Sequence, residues 1–380
     1  TLDDSASLGY YYLSTTVEDE AGMDYGYGVS FRVAEYRKPE FQVTVTTDRD
    51  QYLHGDTLDV VVQASYFFGG PVADAEVRWS LLTSDYAFRW NGPGRYDWNG
   101  SGTYRAGYGE VYYGGFGELI ADGEAKTDAQ GRLVFSVPAD IADRTASQSF
   151  TLEATVADLN DQVVSGRTSV VVHKGQFYTG LHPQRYVGKV GEALDVDVRT
   201  VDWNSDPWPN QDLTVTFNKR TWYSVREEDS RGRLYWTWTY SDTAVFTDTL
   251  TTDGAGQAVS SFEPTAGGSY VVRAVGEDKE GNEVRSATWV WVSGREYVSW
   301  RIENNDRIEL IADKDNYRPG ETASVLIPSP FQGEAKALLT IERGHILDTQ
   351  VITLRSNSEV VEIPITPDMA PNAYVSVVIV

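Results

Sequence analysis

Apolar and polar residues alternate with a period of two along most of the chain. Ser149-Phe-Thr-Leu-Glu-Ala-Thr-Val156, Thr168-Ser-Val-Val-Val172 and Ser269-Tyr-Val-Val-Arg-Ala-Val275 are examples. That period turns one strand face toward a core and leaves the other wet. No long stretch carries apolar residues at helical spacing. The pattern therefore predicts an all-β chain of short strands. Turn signals separate the strands. Thr127-Asp-Ala-Gln-Gly131-Arg-Leu-Val134 and Thr252-Asp-Gly-Ala-Gly256-Gln-Ala-Val259 match each other. In both, the Asp side chain bonds nearby backbone and the later Gly supplies positive φ.

The matches extend to whole units. Three openings share a Tyr, a Gly-bearing turn, a polar residue and an alternating strand: Asp50-Gln-Tyr52 to Val60, Gln184-Arg-Tyr186 to Val196, and Asp315-Asn-Tyr317 to Val325. The Tyr residues are spaced 134 and 131 apart. Each unit closes with two strands around a turn, at Asn160-Asp161 and Gly281-Asn282. Gly9–Val17, Glu20-Ala-Gly22 and Val29–Val33 read the same way. The expected layout is a closing hairpin in 1–37, modules at 38–174 and 175–294, and the beginning of another module at 295–380. About seven short strands per module is the pattern of an immunoglobulin-like or fibronectin-like antiparallel β-sandwich. Linkers such as Tyr36-Arg-Lys-Pro39 are short, so a stiff tandem array is expected. Thr1 opens the chain without an initiator Met or leader, and Val380 ends it inside an apolar run. Both ends read as cuts from a longer protein.

Composition narrows the function. The 380 residues carry a formal net charge of −24, which argues against nucleic acid and anionic membrane surfaces. There is no Cys, hence no disulfide, thiolate nucleophile or thiolate metal site. No apolar run is long enough to span a membrane. Val, Thr, 23 Tyr and 11 Trp favour strands further.

Specific segments resemble a known family. Phe31-Arg-Val-Ala-Glu-Tyr36-Arg-Lys-Pro39-Glu-Phe41-Gln-Val43 resembles a junction between macroglobulin-like domains of bacterial α2-macroglobulins, and Asp50–Val60 resembles the opening of the next domain. Leu310–Thr322, Ser329-Pro-Phe331-Gln-Gly333, Leu338-Leu-Thr-Ile-Glu342-Arg-Gly344, Ile363-Pro-Ile-Thr366 and Pro371-Asn-Ala-Tyr-Val375 resemble the macroglobulin domain that holds the bait region. The resemblance implies a protease trap: a protease cuts the bait region, and the scaffold collapses around it. It implies target proteases and neighbouring macroglobulin domains as partners, no enzyme activity, and a periplasmic, cell-surface or secreted location. Many members also tether the protease through a Cys–Gln thioester. This sequence has no Cys to form one, and the bait segment is expected beyond Val380. The fragment is then expected to be scaffold.

Two other readings stay open: a cell-surface adhesin or glycan- and protein-binding array, and an accessory part of an enzyme acting on envelope polymers. No cofactor site is read. His54, His173, His182 and His345 are scattered singly, without zinc-site spacing, although His173 and His182 flank a linker. No Ser stands in a nucleophile elbow, and no carboxylate pair is singled out for acid–base work. Asp48-Arg-Asp50 and Asp313-Lys-Asp315 read as turn residues rather than a calcium loop, which needs six to eight oxygens. The candidate interaction surface is aromatic. Trp90, Trp98, Tyr112 and Tyr113 lie in the Gly-rich segment 84–117, and Trp236 and Trp238 lie in an alternating run. Exposed rings anchor proteins or stack on sugars. The favoured reading is a long hairpin loop and an extended hairpin whose rings pack back on the sandwich or on the next module, since large exposed apolar patches are uncommon. In the second run, alternation places Trp236, Trp238 and Tyr240 on one face.

Overall fold

The structure, a computed structural model, describes residues 9–18, 24–33, 40–98, 117–160, 162–228, 234–301 and 306–380. Among them the only helical element is a 3-10 turn at Pro367–Met369, and all other elements are strands. β1 (Gly9–Glu18) and β2 (Asp24–Val33) form an antiparallel hairpin with Gly9 opposite Val33. Three tandem sandwiches follow.

The first contains β3 (Phe41–Thr47), β4 (Gln51–Leu53), β5 (Thr57–Tyr66), β6 (Glu76–Asp85), β7 (Glu118–Lys126), β8 (Arg132–Pro138), β9 (Gln148–Ala157) and β10 (Val163–His173). Sheet β3-β5-β8 packs on sheet β4-β10-β9-β6-β7. The period-two residues meet between them: Phe41, Val60 and Val62 from one sheet, Tyr52, Phe150 and Leu152 from the other, all buried.

The second repeats this order with β11 (Tyr178–Pro183), β12 (Val187–Lys189), β13 (Leu194–Val201), β14 (Asp212–Glu228), β15 (Leu234–Thr251), β16 (Gln257–Phe262), β17 (Gly268–Glu277) and β18 (Glu283–Ser293). Its sheets are β11-β13-β16 and β12-β18-β17-β14-β15, closing on Leu181, Val196, Phe217, Tyr270 and Val290. β17 pairs with β14 only over Thr214–Arg220. Beyond that, β14 and β15 continue as a two-stranded ribbon.

The third contains β19 (Ile311–Ala312), β20 (Thr322–Pro328), β21 (Ala335–Glu342), β22 (Ile346–Leu354), β23 (Ser358–Pro364) and β24 (Tyr374–Ile379). Its sheets are β19-β20-β23 and β22-β21-β24, around Val325, Leu339 and Ile341.

The sheets are antiparallel with one exception per complete sandwich: β4 runs parallel to β10, and β12 to β18. The chain switches sheets between β3 and β4, and again between β11 and β12, so each short strand enters alongside the last strand of its sandwich.

The predicted turns form as read. Asp128 Oδ1 accepts the amides of Gln130 and Arg132, both at 2.8 Å, and Asp253 Oδ1 accepts those of Ala255 and Gln257 at 2.8 and 2.9 Å. Gly131 and Gly256 have φ of +73° and +69°. A Cβ there would also lie 2.5 Å from Ala64 O and 2.3 Å from Thr200 O, so both conformation and space require glycine.

The opening motif needs one correction. In the first and third sandwiches the Tyr closes a corner: Tyr52 donates to Asp48 Oδ1 at 2.6 Å, and Tyr317 to Asp313 Oδ1 at 2.7 Å. Tyr186 is not their counterpart. Gly55 N bonds Ala139 O at 3.0 Å, and Gly191 N bonds Pro264 O at 2.9 Å, so these two glycines correspond. They lie 136 residues apart, which puts Gly188 opposite Tyr52 and Gln184 opposite Asp48. A Cβ on Gly188 would lie 2.5 Å from Leu194, so no side chain fits at the position that Tyr52 holds in the first sandwich. Tyr186 stands two residues early, and its amide donates to Asp313 O of the third sandwich at 2.8 Å.

Candidate functional site

Tyr86, the first residue after β6, still donates its amide to Ser147 O of its own sandwich at 2.9 Å, and the described part of the aromatic segment then turns to its neighbours. Residues 86–98 cross to the second sandwich and touch the third. Phe88 stacks on Tyr178 with ring centroids 4.1 Å apart. Trp98 covers Gly180, where a Cβ would lie 2.7 Å from the indole, so a side chain there would expel the ring. Asp97 pairs with Leu181 through two backbone hydrogen bonds of 2.8 and 3.0 Å. Its Oδ2 accepts Thr288 Oγ1 at 2.6 Å, and its carbonyl accepts Ser286 Oγ at 2.7 Å. The Arg199 guanidinium lies 5.3 Å from the rings of both Trp90 and Tyr96. Arg95 Nη1 reaches Asp315 Oδ1 at 2.9 Å. Trp90 and Trp98 are half-buried parts of this strap. Tyr112 and Tyr113, with Tyr104, Tyr108 and Phe116, lie outside the described residues.

Beside the strap, where the three sandwiches meet, is a crevice of about 690 Å³ lined by Tyr86, Lys174, Tyr178, Arg285, Trp291 and Lys314, among others. The junction of the first two sandwiches is closed by His173. Its Nδ1 lies 2.7 Å from the Tyr178 hydroxyl and its Nε2 2.9 Å from Gln51 Oε1. Trp203 stacks on the imidazole at 4.1 Å. Burial pushes the His173 pKa down to about 3, so the ring is neutral at ordinary pH. The Tyr178 hydroxyl donates to Ser147 Oγ at 2.8 Å, and burial raises its pKa. His182 keeps separate company, with the rings of Tyr96 and Tyr186 at 5.7 and 6.3 Å.

The second aromatic run forms the ribbon. Opposite pairs are Trp222 with Tyr240, Ser224 with Trp238 and Arg226 with Trp236. Trp236, Trp238 and Tyr240 therefore share a face, as alternation predicts. Arg220 is buried beneath it. Its guanidinium lies 3.6 Å from the Tyr240 ring and 4.8 Å from Trp289, and it bonds both oxygens of Asp242 at 2.7 and 2.8 Å. Arg273 adds a third bond to Asp242 at 2.7 Å. Burial works to raise the Asp242 pKa, but the two guanidiniums outweigh it and hold the carboxyl below its usual range. Arg301, on the segment leading to the third sandwich, lies 4.0 Å over Trp238. That segment is held by Asn357, whose Oδ1 accepts Val298 N at 2.9 Å and whose Nδ2 donates to Val298 O at 2.7 Å.

Three of the four acids in the Asp48/Asp50 and Asp313/Asp315 pairs are engaged by protein donors. Asp48 Oδ1 accepts Tyr52 and the Asp59 amide, Asp313 Oδ1 accepts Tyr317 and the Ser324 amide, and Asp315 holds Arg95. Among the described residues no three His, Cys, Asp or Glu side chains are grouped to hold a metal ion. No described helix is long and apolar enough to cross a membrane.

Sequence reasoning missed Arg95, Asp97, Gly180, Arg220 and Asn357. Only the Arg220–Asp242 pair had a signal: both lie in the alternating run, facing the same way across the hairpin.

Tandem two-sheet sandwiches, the first two with a short second strand that changes sheets and all three touched by a strap, define a row of macroglobulin-like β-sandwich modules. Residues 308–380 match the alpha-2-macroglobulin bait region domain. An alpha-2-macroglobulin homolog of a Nostoc species is 22% identical over 379 residues, covering 100% of this chain and 19% of the relative. The alpha-2-macroglobulin of Ralstonia nicotianae is 28% identical over 351 residues, covering 91% of this chain and 19% of its own length. Among solved structures, the native conformation of Escherichia coli alpha-2-macroglobulin aligns with a TM-score of 0.50 at 15% identity, covering 99% of this chain and 25% of that one. That last likeness is one of fold. The chain is thus related to the bacterial alpha-2-macroglobulin family, as residues 31–43 and 310–375 anticipated. It spans about a fifth of the length of these relatives.

Proposed function

We propose that the chain is a scaffold segment of a bacterial α2-macroglobulin-like protease trap, and that its sandwiches position the bait region for target proteases. The match of residues 308–380 to the bait region domain carries this reading. The contacts that hold this module to the earlier two support it: Arg95 to Asp315, the Tyr186 amide to Asp313, and the apolar cluster of Val187, Ile311 and Leu326. A bait is useful only if its cleavage is felt elsewhere, and a module fixed to two others can transmit that event. The reading divides the chain at residues 37, 174 and 294, assigns no catalytic step to it, and places it in the periplasm, at the cell surface or outside the cell.

The adhesin reading rested mainly on exposed aromatics. Trp90 and Trp98 instead pack on the second sandwich, which favours the scaffold.

The test uses the full-length parent protein and a panel of endopeptidases. The expected result is cleavage after the 308–380 module, a smaller hydrodynamic radius and retained protease. Cleavage without compaction or retention would overturn the proposal.

A further inference from the structure

At the end where the chain enters, the first two sandwiches match residue for residue, 136 positions apart. Ser65 pairs with Pro71 as Val201 does with Pro207, and Gly69 N bonds Tyr66 O as Ser205 N bonds Asp202 O. Phe67 is therefore the equivalent of Trp203. Trp203 is the ring by which the second sandwich seats on the one before it. It stacks on His173 at 4.1 Å, and its Nε1 donates to Gly175 O at 2.8 Å. Phe67 holds the same place but is more than half exposed. The closing turns match as well. Asp158 Oδ1 accepts the amides of Asn160 and Gln162, as Asp278 Oδ1 accepts those of Glu280 and Asn282. Phe67 N donates to Glu40 O, and Glu40 N to Gln162 Oε1, so this turn lies beside the Phe67 loop. Where the second sandwich has Asn204, Lys279 and Glu283, the first has Phe68, Leu159 and Val163. These three are also more than half exposed. Single exposed apolar residues are ordinary, but four gathered on one end mark an interaction surface.

We infer that Phe67, Phe68, Leu159 and Val163 form the seat for the closing end of an upstream sandwich, the one whose last hairpin is β1–β2. The hairpins identify the occupant. Glu18 pairs with Asp24, Ala157 with Val163 and Glu277 with Glu283, so residues 19–23, 158–162 and 278–282 intervene, five in each case. β9–β10 is the hairpin that brings His173 and Gly175 to Trp203. β1–β2 stands before the first sandwich as β9–β10 stands before the second, and it brings its own sandwich to Phe67. The extra apolar residues make this the drier of the two junctions. Phe68 stacks on Tyr66 at 5.0 Å, and Tyr66 meets the buried Phe41 edge-on at 6.0 Å, so a ladder of rings runs from the core out to the seat. The inference rests on the division of the chain at residue 37 and needs no protease trapping.

The test sets the full-length parent beside the 380-residue chain. Hydroxyl-radical footprinting, with the dose normalised by an added reporter, should label Phe68 and Leu159 several-fold less in the parent. In the parent, Phe68→p-benzoylphenylalanine should on irradiation cross-link, within one molecule, to the sandwich that contains residues 9–33, as mapped by mass spectrometry. Phe68→Asp/Leu159→Glu in the parent should speed amide exchange over residues 24–33 and 40–43. Far-UV circular dichroism and unchanged exchange in β13 and β16 check that this variant folds. Equal labelling in parent and chain overturns the inference, and so does unchanged exchange in the folded variant. Cross-links to another part of the parent, to a second copy or to a different polypeptide overturn it too. None of these readouts involves a protease, so a failure of the trap reading would leave the result standing.

Discussion

Arg95 and Asp315 meet at 2.9 Å although 220 residues separate them, joining a loop of the first sandwich to the opening of the third. Both side chains are partly exposed, so the pair itself contributes about 0–1 kcal/mol. Arg95→Ala should leave the melting temperature nearly unchanged. Its effect should be local: faster amide exchange at residues 86–98 and 311–317, measured by hydrogen–deuterium exchange. A large loss of global stability would show that the strap does more than orient.

Gly180→Leu should expel Trp98 from its seat, because even a Cβ falls 2.7 Å from the indole. The expected cost is about 1–3 kcal/mol of the second sandwich's stability. A red shift in tryptophan emission and earlier urea unfolding would report it.

Gly131→Ala and Gly256→Ala test the repeat itself. Each puts a Cβ on a left-handed backbone and against a carbonyl. Each should cost about 1–3 kcal/mol, but in different sandwiches. Residue-resolved exchange should show the first weakening β5 and β8, and the second β13 and β16.

The stability of the first junction should depend on pH through His173. Its folded pKa, about 3, lies below the ordinary value of a free histidine. The unfolded chain therefore binds more protons between those values. The contribution is fully present above about pH 6.5 and is lost progressively as pH falls toward 3. His173→Gln should flatten that limb in pH-dependent urea melts. The imidazole nuclear magnetic resonance shifts should show a neutral ring at pH 5.

The Asp–Gly turns were legible because their chemistry is local: the acceptor and the amides it bonds lie within four residues. The sandwich order was legible because the turns and strands recur. The Tyr register was misread in one unit. Tyr186 looks like Tyr52 and Tyr317, but it lies five residues before its Gly where they lie three before theirs. Counting from glycine, whose backbone conformation the turn demands, gives the right alignment. The strap was not legible. Nothing near Trp98 announces that its seat is Gly180, and nothing near Arg95 points to Asp315. Such contacts depend on how one sandwich is set against the next, which no local pattern encodes.

The parallel pairing of β4 with β10, and of β12 with β18, has a mechanical consequence. Val171 N bonds Asp50 O at 3.0 Å and His54 N bonds His173 O at 2.9 Å. Trp291 N bonds Tyr186 O at 2.7 Å and Val190 N bonds Ser293 O at 3.1 Å. When the array is pulled by its ends, these bonds are loaded together, in shear, and none can unzip ahead of the others. Each of the first two sandwiches is thus a link that resists tension as a unit, while the third, which has no such parallel pair among the described residues, is the module expected to yield first.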